Sequence, residues 1–285
     1  MLDRITTAAL VFGVLLLAFG PLERAFPARR AQPILRREWL LDLYFFLGQY
    51  LLWNALALWF LTWTRELLSP ASWVVGAQEI ERLPWLVRTL AGLLFGDMLV
   101  YWFHRACHRF EFLWRFHAVH HSSETLDWLA AHREHPVDGI LTQLCQNVPF
   151  FLLGVRMDTI GALVVFRGAW ALLVHSNVRL PLGPLRTLLG APELHHWHHA
   201  RTSNTKHNFA NLAPWLDILF GTHFLPSSEE ESYELGNPTD DDLPRNYIGM
   251  MLTPLLSLVR RKRAKQASSD GEDASVHEST SASPQ

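Results

Sequence analysis

The chain is nearly free of cysteine. Cys107 and Cys145 are the only two thiols in 285 residues, too few for a disulfide framework or a four-thiolate metal site. Cys107 lies inside a histidine cluster, which leaves a ligand role open, although a small buried apolar side chain is the simpler reading. Charge of one sign is also lacking: the formal net charge is −2, and nothing in it suggests a nucleic-acid surface. The HExxH pair of a zincin protease is absent. Glu-x-x-His occurs only at Glu193–His196, whereas a ferritin-like di-iron bundle needs two such motifs and two further glutamates.

Apolar residues, by contrast, are plentiful and grouped. They make up 49% of the chain, with 12 Trp and 17 Phe, and the runs are long enough to cross a bilayer. The length suits one large domain or two small ones. Ile5–Gly20 is uncharged, Tyr44–Thr64 carries no charge over 21 residues, and Leu86–Phe103 holds only Arg88 and Asp97. Gly139–Val155 and Thr159–Val174, parted by Arg156–Asp158, read as a helical hairpin. Only Arg4 precedes the first run and no small-x-small cleavage pattern is obvious, so a span fits it better than a signal peptide. The expectation is an all-α bundle of five membrane spans.

Basic residues orient it. Arg24, Arg29, Arg30, Arg36 and Arg37 lie between the first two spans, and Arg260, Arg261, Lys262, Arg263 and Lys265 follow the last. Only Arg65 and Arg82 separate spans two and three. The positive-inside rule then puts the first loop and the tail in the cytoplasm, with the amino end outside. Asn246–Val259, with Pro254 inside, is too short to span and reads as an interfacial helix. From about Lys262 the composition is that of a disordered tail.

Fourteen of the 15 histidines fall between His104 and His223. His104 and His108 are spaced i, i+4; His117, His120 and His121 are spaced i, i+3, i+4, and His195, His198 and His199 repeat that pattern. Such spacings place imidazoles on one helix face, as shared metal ligands require. With His135 and His175 the set reaches ten, enough for two metals with four or five nitrogens each. His132, His196, His207 and His223 read as supporting or surface groups. Left without metal, so many imidazoles beside lipid would each need a hydrogen-bond partner. Asp97 lies on the face of His104 and His108, and a carboxylate inside a span is costly unless it has a task. It is a candidate to accept the second N–H of a metal-bound His104, with an ion pair to Arg105 as the alternative. Arg167, inside the fifth span, calls for a carboxylate partner.

These motifs resemble the fatty acid hydroxylase/sterol desaturase superfamily of integral-membrane di-iron enzymes. The resemblance covers roughly Leu94 to Phe224. It rests on DMLVYWFHRACH (Asp97–His108), HAVHHSSETLDW (His117–Trp128), AHREHPVDG (Ala131–Gly139), VHSN (Val174–Asn177) and ELHHWHHARTSNTKHNFANLAPWLDILFGT (Glu193–Thr222). One departure is Leu216, where many members carry Trp before the Asp of the DxLFGT element.

The resemblance implies ligands at His104, His108, His117, His120, His121, His135, His175, His195, His198 and His199 around two iron ions. It implies dioxygen as co-substrate, hydroxylation or desaturation of a lipid C–H bond (sterol-like, fatty acyl or related), and a cytoplasmic-side helical cap carrying the site. No cytochrome or dinucleotide-binding motif is present, so electrons must come from an external donor, a b-type cytochrome or a ferredoxin with its reductase. The organisation expected is membrane spans in 1–85, a catalytic hydroxylase-type domain in 86–225, a C-terminal segment in 226–261 and the tail in 262–285. A carotenoid or ether-lipid monooxygenase is the nearest alternative, and a histidine-rich membrane metal transporter is one of a different class. A transporter would set its ligands along a path at mid-membrane depth, whereas these cluster near span ends.

Overall fold

The structure, a computed structural model, describes residues 2–68, 77–153, 155–202, 206–226, 233–237 and 243–258. It is helical, with two isolated bridges and no strand among the described residues. The order is α1 (Leu2–Ala25), α2 (Trp39–Gly48), a π turn (Gln49–Trp53), α3 (Asn54–Leu68), α4 (Ala77–Arg82), α5 (Trp85–Arg109) and α6 (Glu111–His121). A 3₁₀ turn (Ala130–His132), α7 (Pro136–Leu152), α8 (Met157–His175), a second 3₁₀ turn (Gly183–Thr187), α9 (Pro192–His198) and α10 (Trp215–Leu219) follow. These belong to a unit spanning Met1–Asp241. A second unit, Asp242–Gln285, holds the apolar helix α11 (Tyr247–Leu258). The tail expected at 262–285 lies outside the described residues.

Four helices are long and apolar enough to cross a membrane: α1, the continuous α2–π–α3 run, α5 and α8. The expected fifth span is shorter. Helix α7 has 17 residues, about 26 Å at 1.5 Å per residue, short of a 30 Å hydrocarbon core. Pro136 opens it, and Asp138, Gln146 and Asn147 are buried on it, which lowers its apolar content. It still packs on α3 and α5 as a member of the bundle. Lipid-facing surface is plain on α1, where Leu2, Leu10, Val14 and Leu17 are all more than 60% exposed. Inside, Leu93, Phe150, Phe151, Ile160 and Leu163 join α5, α7 and α8 in one apolar cluster.

The helices alternate so that one end of the bundle collects the chemistry. The carboxy end of α1 meets that of α8, where Arg179 N–H donates to the Phe26 carbonyl at 2.8 Å. Glu23 accepts the backbone N–H groups of Trp128 and Asn177 at 2.9 Å each. The amino end of α2 reaches the same layer through a buried ion network. Arg36 donates to both oxygens of Asp127 at 2.7 Å and also to Asp42. Arg133, fully buried, donates to Asp42 and to Glu38, the latter at 3.0 Å. Arg36, counted above as a loop charge, is therefore neutralised inside the protein, and four first-loop arginines remain for the orientation argument.

Two buried arginines leaning on one aspartate make Asp42 the weak point of that layer. Removing one partner of a buried ion pair costs roughly 3–5 kcal/mol because the other charge is stranded. Asp42→Ala is expected to lose about that much in equilibrium unfolding of the detergent-purified protein. A variant within about 1 kcal/mol of wild type would show that the network contributes nothing net.

Candidate metal centre

The histidines arrive from four helices. His104 and His108 occupy the last turns of α5, His117, His120 and His121 end α6, His175 ends α8, and His195, His198 and His199 close α9. They sort into two groups: His104, His108, His117, His121 and His198 in one, His120, His175, His195 and His199 in the other. Within each group the available ring nitrogens lie within 4.8 Å of one another. The sorting follows helix geometry. The i, i+4 pairs 104/108, 117/121 and 195/199 each stay together, because one turn brings them to the same face. The i+3 member of each triplet points into the other group: His120 leaves α6's group and His198 leaves α9's. Each helix thus supplies both groups, and the stacked rings of His121 and His199, 4.3 Å between centroids, join them.

Five of the nine rings are held from behind through Nδ1. His104 donates to the Phe209 carbonyl at 2.9 Å, His120 to that of Arg133 at 3.1 Å, His175 to that of Ala171 at 2.6 Å and His198 to that of His207 at 2.6 Å. His117 donates to the Asp138 carboxylate at 2.8 Å. A proton on Nδ1 leaves the Nε2 lone pair bare and facing inward. His120 and His175 are both fixed this way, yet their Nε2 atoms lie 2.9 Å apart. Two lone pairs at that distance repel unless a cation lies between them. His195 Nε2 lies 2.9 Å from His175 Nε2 and 3.1 Å from His199 Nε2, and His198 and His121 repeat 3.1 Å in the other group. With metal–nitrogen bonds of about 2.1 Å, ligands at right angles lie about 3.0 Å apart and tetrahedral ones about 3.4 Å. The spacing fits a metal with more than four positions. Buried Nε2 atoms of His104, His108 and His117 have no protein partner, as ligand atoms awaiting a metal would not.

Burial keeps these rings neutral. It pushes His120, His121, His195 and His199 well below the usual imidazole range, and His198 down to about 3, with neighbouring imidazoles adding to the effect except where a carbonyl opposes it. A neutral imidazole is the form that binds metal.

The loop after α9 is fastened to the bundle by two carboxylates. Asp217 accepts the N–H groups of Phe209 and Ala210 at 2.8 and 3.0 Å. Asp97 accepts those of Leu212 and Ala213 at 3.1 and 2.8 Å. Asn208, at φ 55° in the left-handed region that Asn tolerates, ties Leu194 and Phe224 to the same loop. The Phe209 carbonyl that orients His104 is set by this frame.

The fatty acid hydroxylase family model matches residues 89–222, the stretch that carries both groups. Those residues place the chain in the fatty acid hydroxylase superfamily. Ornithine lipid hydroxylase OlsE of Rhizobium tropici is 35% identical over 152 residues, covering 51% of this chain and 44% of its own length. Alkylglycerol monooxygenase of Danio rerio is 32% identical over 143 residues, covering 50% and 31%. Delta(7)-sterol-C5(6)-desaturase of Nicotiana tabacum is 27% identical over 172 residues, covering 58% and 61%. The chain thus spans less than two thirds of each of these relatives. No solved structure matches it. With four membrane-length helices it is a multi-pass membrane protein with a histidine-rich metal site.

Nine of the ten ligands expected in this fatty acid hydroxylase region come together. His135 stands outside both groups. Its Nδ1 accepts the Val137 N–H at 3.1 Å, and its ring packs on Phe116 at 4.9 Å. It caps α7 where Ser or Asp would ordinarily serve. The expected contact between Asp97 and His104 is also not made, because the 209–213 loop takes both oxygens of Asp97 and supplies the carbonyl for His104 instead. Nor does Asp97 pair with Arg105, which donates to the Tyr101 hydroxyl at 3.0 Å. The carboxylate that does hold a ligand, Asp138, was within the quoted HPVDG string but carried no periodic signal toward the histidines. Cys107 donates weakly to Asp138 at 3.8 Å. Arg167 finds the Gln146 amide oxygen, at 2.8 Å from Nε, in the space left open by Gly96. His196 bonds the Ser176 carbonyl at 3.0 Å, and His132 is buried against Phe46. Leu216 lies in a core cluster with Tyr101 and Phe209, while Trp215 is 37% exposed.

Two substitutions separate ligands from neighbours. Asp138→Asn is expected to weaken metal binding roughly 10- to 100-fold, the usual effect of losing a carboxylate behind an imidazole. His135→Ala should keep full metal content and lose about 0.5–2 kcal/mol of stability with its helix cap. Metal analysis of purified protein after chelator challenge checks both; metal loss in His135→Ala would return it to the ligand set.

Proposed function

We propose that this chain is a membrane-bound, dioxygen-dependent di-iron oxidase that hydroxylates or desaturates a C–H bond of a lipid. The observation that carries the reading is the pair of His120 and His175 with their bare Nε2 atoms facing each other, repeated around two adjacent groups of five and four imidazoles. Imidazole suits iron, copper and zinc alike; the family match and relatives named as hydroxylases, monooxygenases and a desaturase favour iron. One ion would sit in each group.

When bound, the irons supply reductive activation of dioxygen. Hydroxylation then balances as R–H + O2 + 2 e⁻ + 2 H⁺ → R–OH + H2O. Desaturation consumes the same oxidant and reductant and releases two waters. The electrons come from an external donor, a b-type cytochrome or a ferredoxin with its reductase.

The chain's own residues hold and shield the centre. The carbonyls of Phe209, Arg133, Ala171 and His207, with Asp138, fix ring orientation and tautomer. Phe209 covers His104, His108 and His198 at 5.3–5.6 Å, and Trp114 covers His108 and His121 at 4.9 and 5.4 Å. These apolar walls keep water from the oxidant. Residues 86–225 form the catalytic segment in this reading, and the arginines of the first loop and tail put the centre on the cytoplasmic face. A metal transporter is disfavoured because the imidazoles gather at helix ends, not along a path through the bundle.

Iron analysis of the purified protein should give two ions per chain. His120→Ala and His121→Ala each lower that number and abolish turnover. Lipid profiling of cells expressing wild type and His120→Ala should reveal one lipid class that gains an oxygen or a double bond only with wild type. Iron-loaded protein that leaves every lipid class unaltered would overturn the proposal. A reporter fused to the carboxy end should register as cytoplasmic; a signal from the opposite side would reverse the orientation.

A further inference from the structure

A cleft of about 390 Å³ opens beside the first histidine group, with His108 in its wall. Its apolar lining includes Phe209, Trp102 and Phe110; Phe209 is buried, while the other two are 47% and 58% exposed at the rim. The charged residues of its lining are all cationic: Arg105, Arg109 and Lys206. Among the described residues, no carboxylate forms an ion pair with any of them. The side-chain contacts of Arg105 are neutral ones, the Tyr101 hydroxyl at 3.0 Å, the Phe220 carbonyl at 3.4 Å and the face of Trp102 at 5.4 Å.

Place and charge together suggest an occupant. The cleft lies at the carboxy end of α5, one of the membrane-length helices. Trp at such a position marks the level of lipid headgroups. Basic side chains with no acidic partner match an oxyanion, and the guanidinium fork suits phosphate or carboxylate. Arg105 precedes His108 by three residues and Arg109 follows it by one, so an oxyanion held there stays within about one helical turn of a candidate ligand. Cations in a last helical turn also offset the helix dipole, but that role does not require Lys206, which comes from the loop after α9.

We propose that this cleft binds the headgroup of an oxyanion-bearing lipid, with Arg105, Arg109 and Lys206 as its recognition residues. The inference rests on the lipid-oxidase reading above and narrows its substrate class to anionic amphiphiles. Binding is read without turnover, so absent oxidase activity would count against that reading and leave this one standing.

The test uses purified, metal-loaded wild type and the double variant Arg109→Gln/Lys206→Gln, which alters two exposed side chains. Each is titrated with short-chain phosphatidic acid, short-chain diacylglycerol and inorganic phosphate, with metal content measured alongside. Phosphatidic acid should bind wild type at least about tenfold more tightly than either of the other two, and the variant should lose about tenfold for that lipid alone, at unchanged metal content. Equal binding of diacylglycerol would overturn the charge recognition. Equal binding of inorganic phosphate would overturn the lipid. An undiminished variant would leave the cations as helix-end charges only and overturn the assignment of residues.

Discussion

Imidazole nitrogens taken out of water must find a proton donor, an acceptor or a cation, and that constraint organises this protein. Nine rings are buried side by side, and burial lowers the basicity of the rings beyond the spans so that they cannot share protons as imidazolium. Backbone carbonyls and one carboxylate occupy Nδ1 of five rings, which drives their Nε2 lone pairs toward common points. The arrangement makes physical sense around metal ions and would be repulsive without them.

Holding rings in that posture requires rigid partners, and the rest of the fold supplies them. The Arg133 carbonyl that orients His120 belongs to a residue whose guanidinium is locked to Asp42 and Glu38 on the amino-terminal membrane helices. The Phe209 carbonyl that orients His104 belongs to a loop clamped by Asp97 and Asp217. Charges buried far from the histidines thus act on the centre through main-chain carbonyls. This explains why a carboxylate inside α5 is retained: it fastens a loop whose backbone would otherwise bury unpaired N–H groups.

Much was legible in the sequence because it repeats with a helical period. The apolar runs became α1, α2–α3, α5 and α8, since length and uncharged composition suffice to recognise a membrane-length helix. The i, i+4 histidine pairs landed together for the same local reason. Assignments that depended on position across the fold fared differently. Asp97 and His104 share a helix face, yet the loop from the far end of the chain comes between them. His135 sits in a histidine-rich string, but the chain turns into α7 there and its ring is spent on the helix cap. Asp138, one turn further along, is the group that meets His117, a partner 21 residues away in sequence. Arg36 looked like a solvent charge because nothing local revealed Asp127, 91 residues on.

By itself the sequence determined that the chain is helical, membrane-crossing and armed with three histidine boxes, because periodicity and hydropathy are properties of neighbouring residues. Only the tertiary structure decided which imidazoles face one another, which carbonyl or carboxylate stands behind each, and that every third box member crosses to the opposite group. Those choices depend on how α5, α6, α8 and α9 converge. Convergence is governed by long-range packing and by the need to pair buried polar atoms, neither of which is written in local spacing.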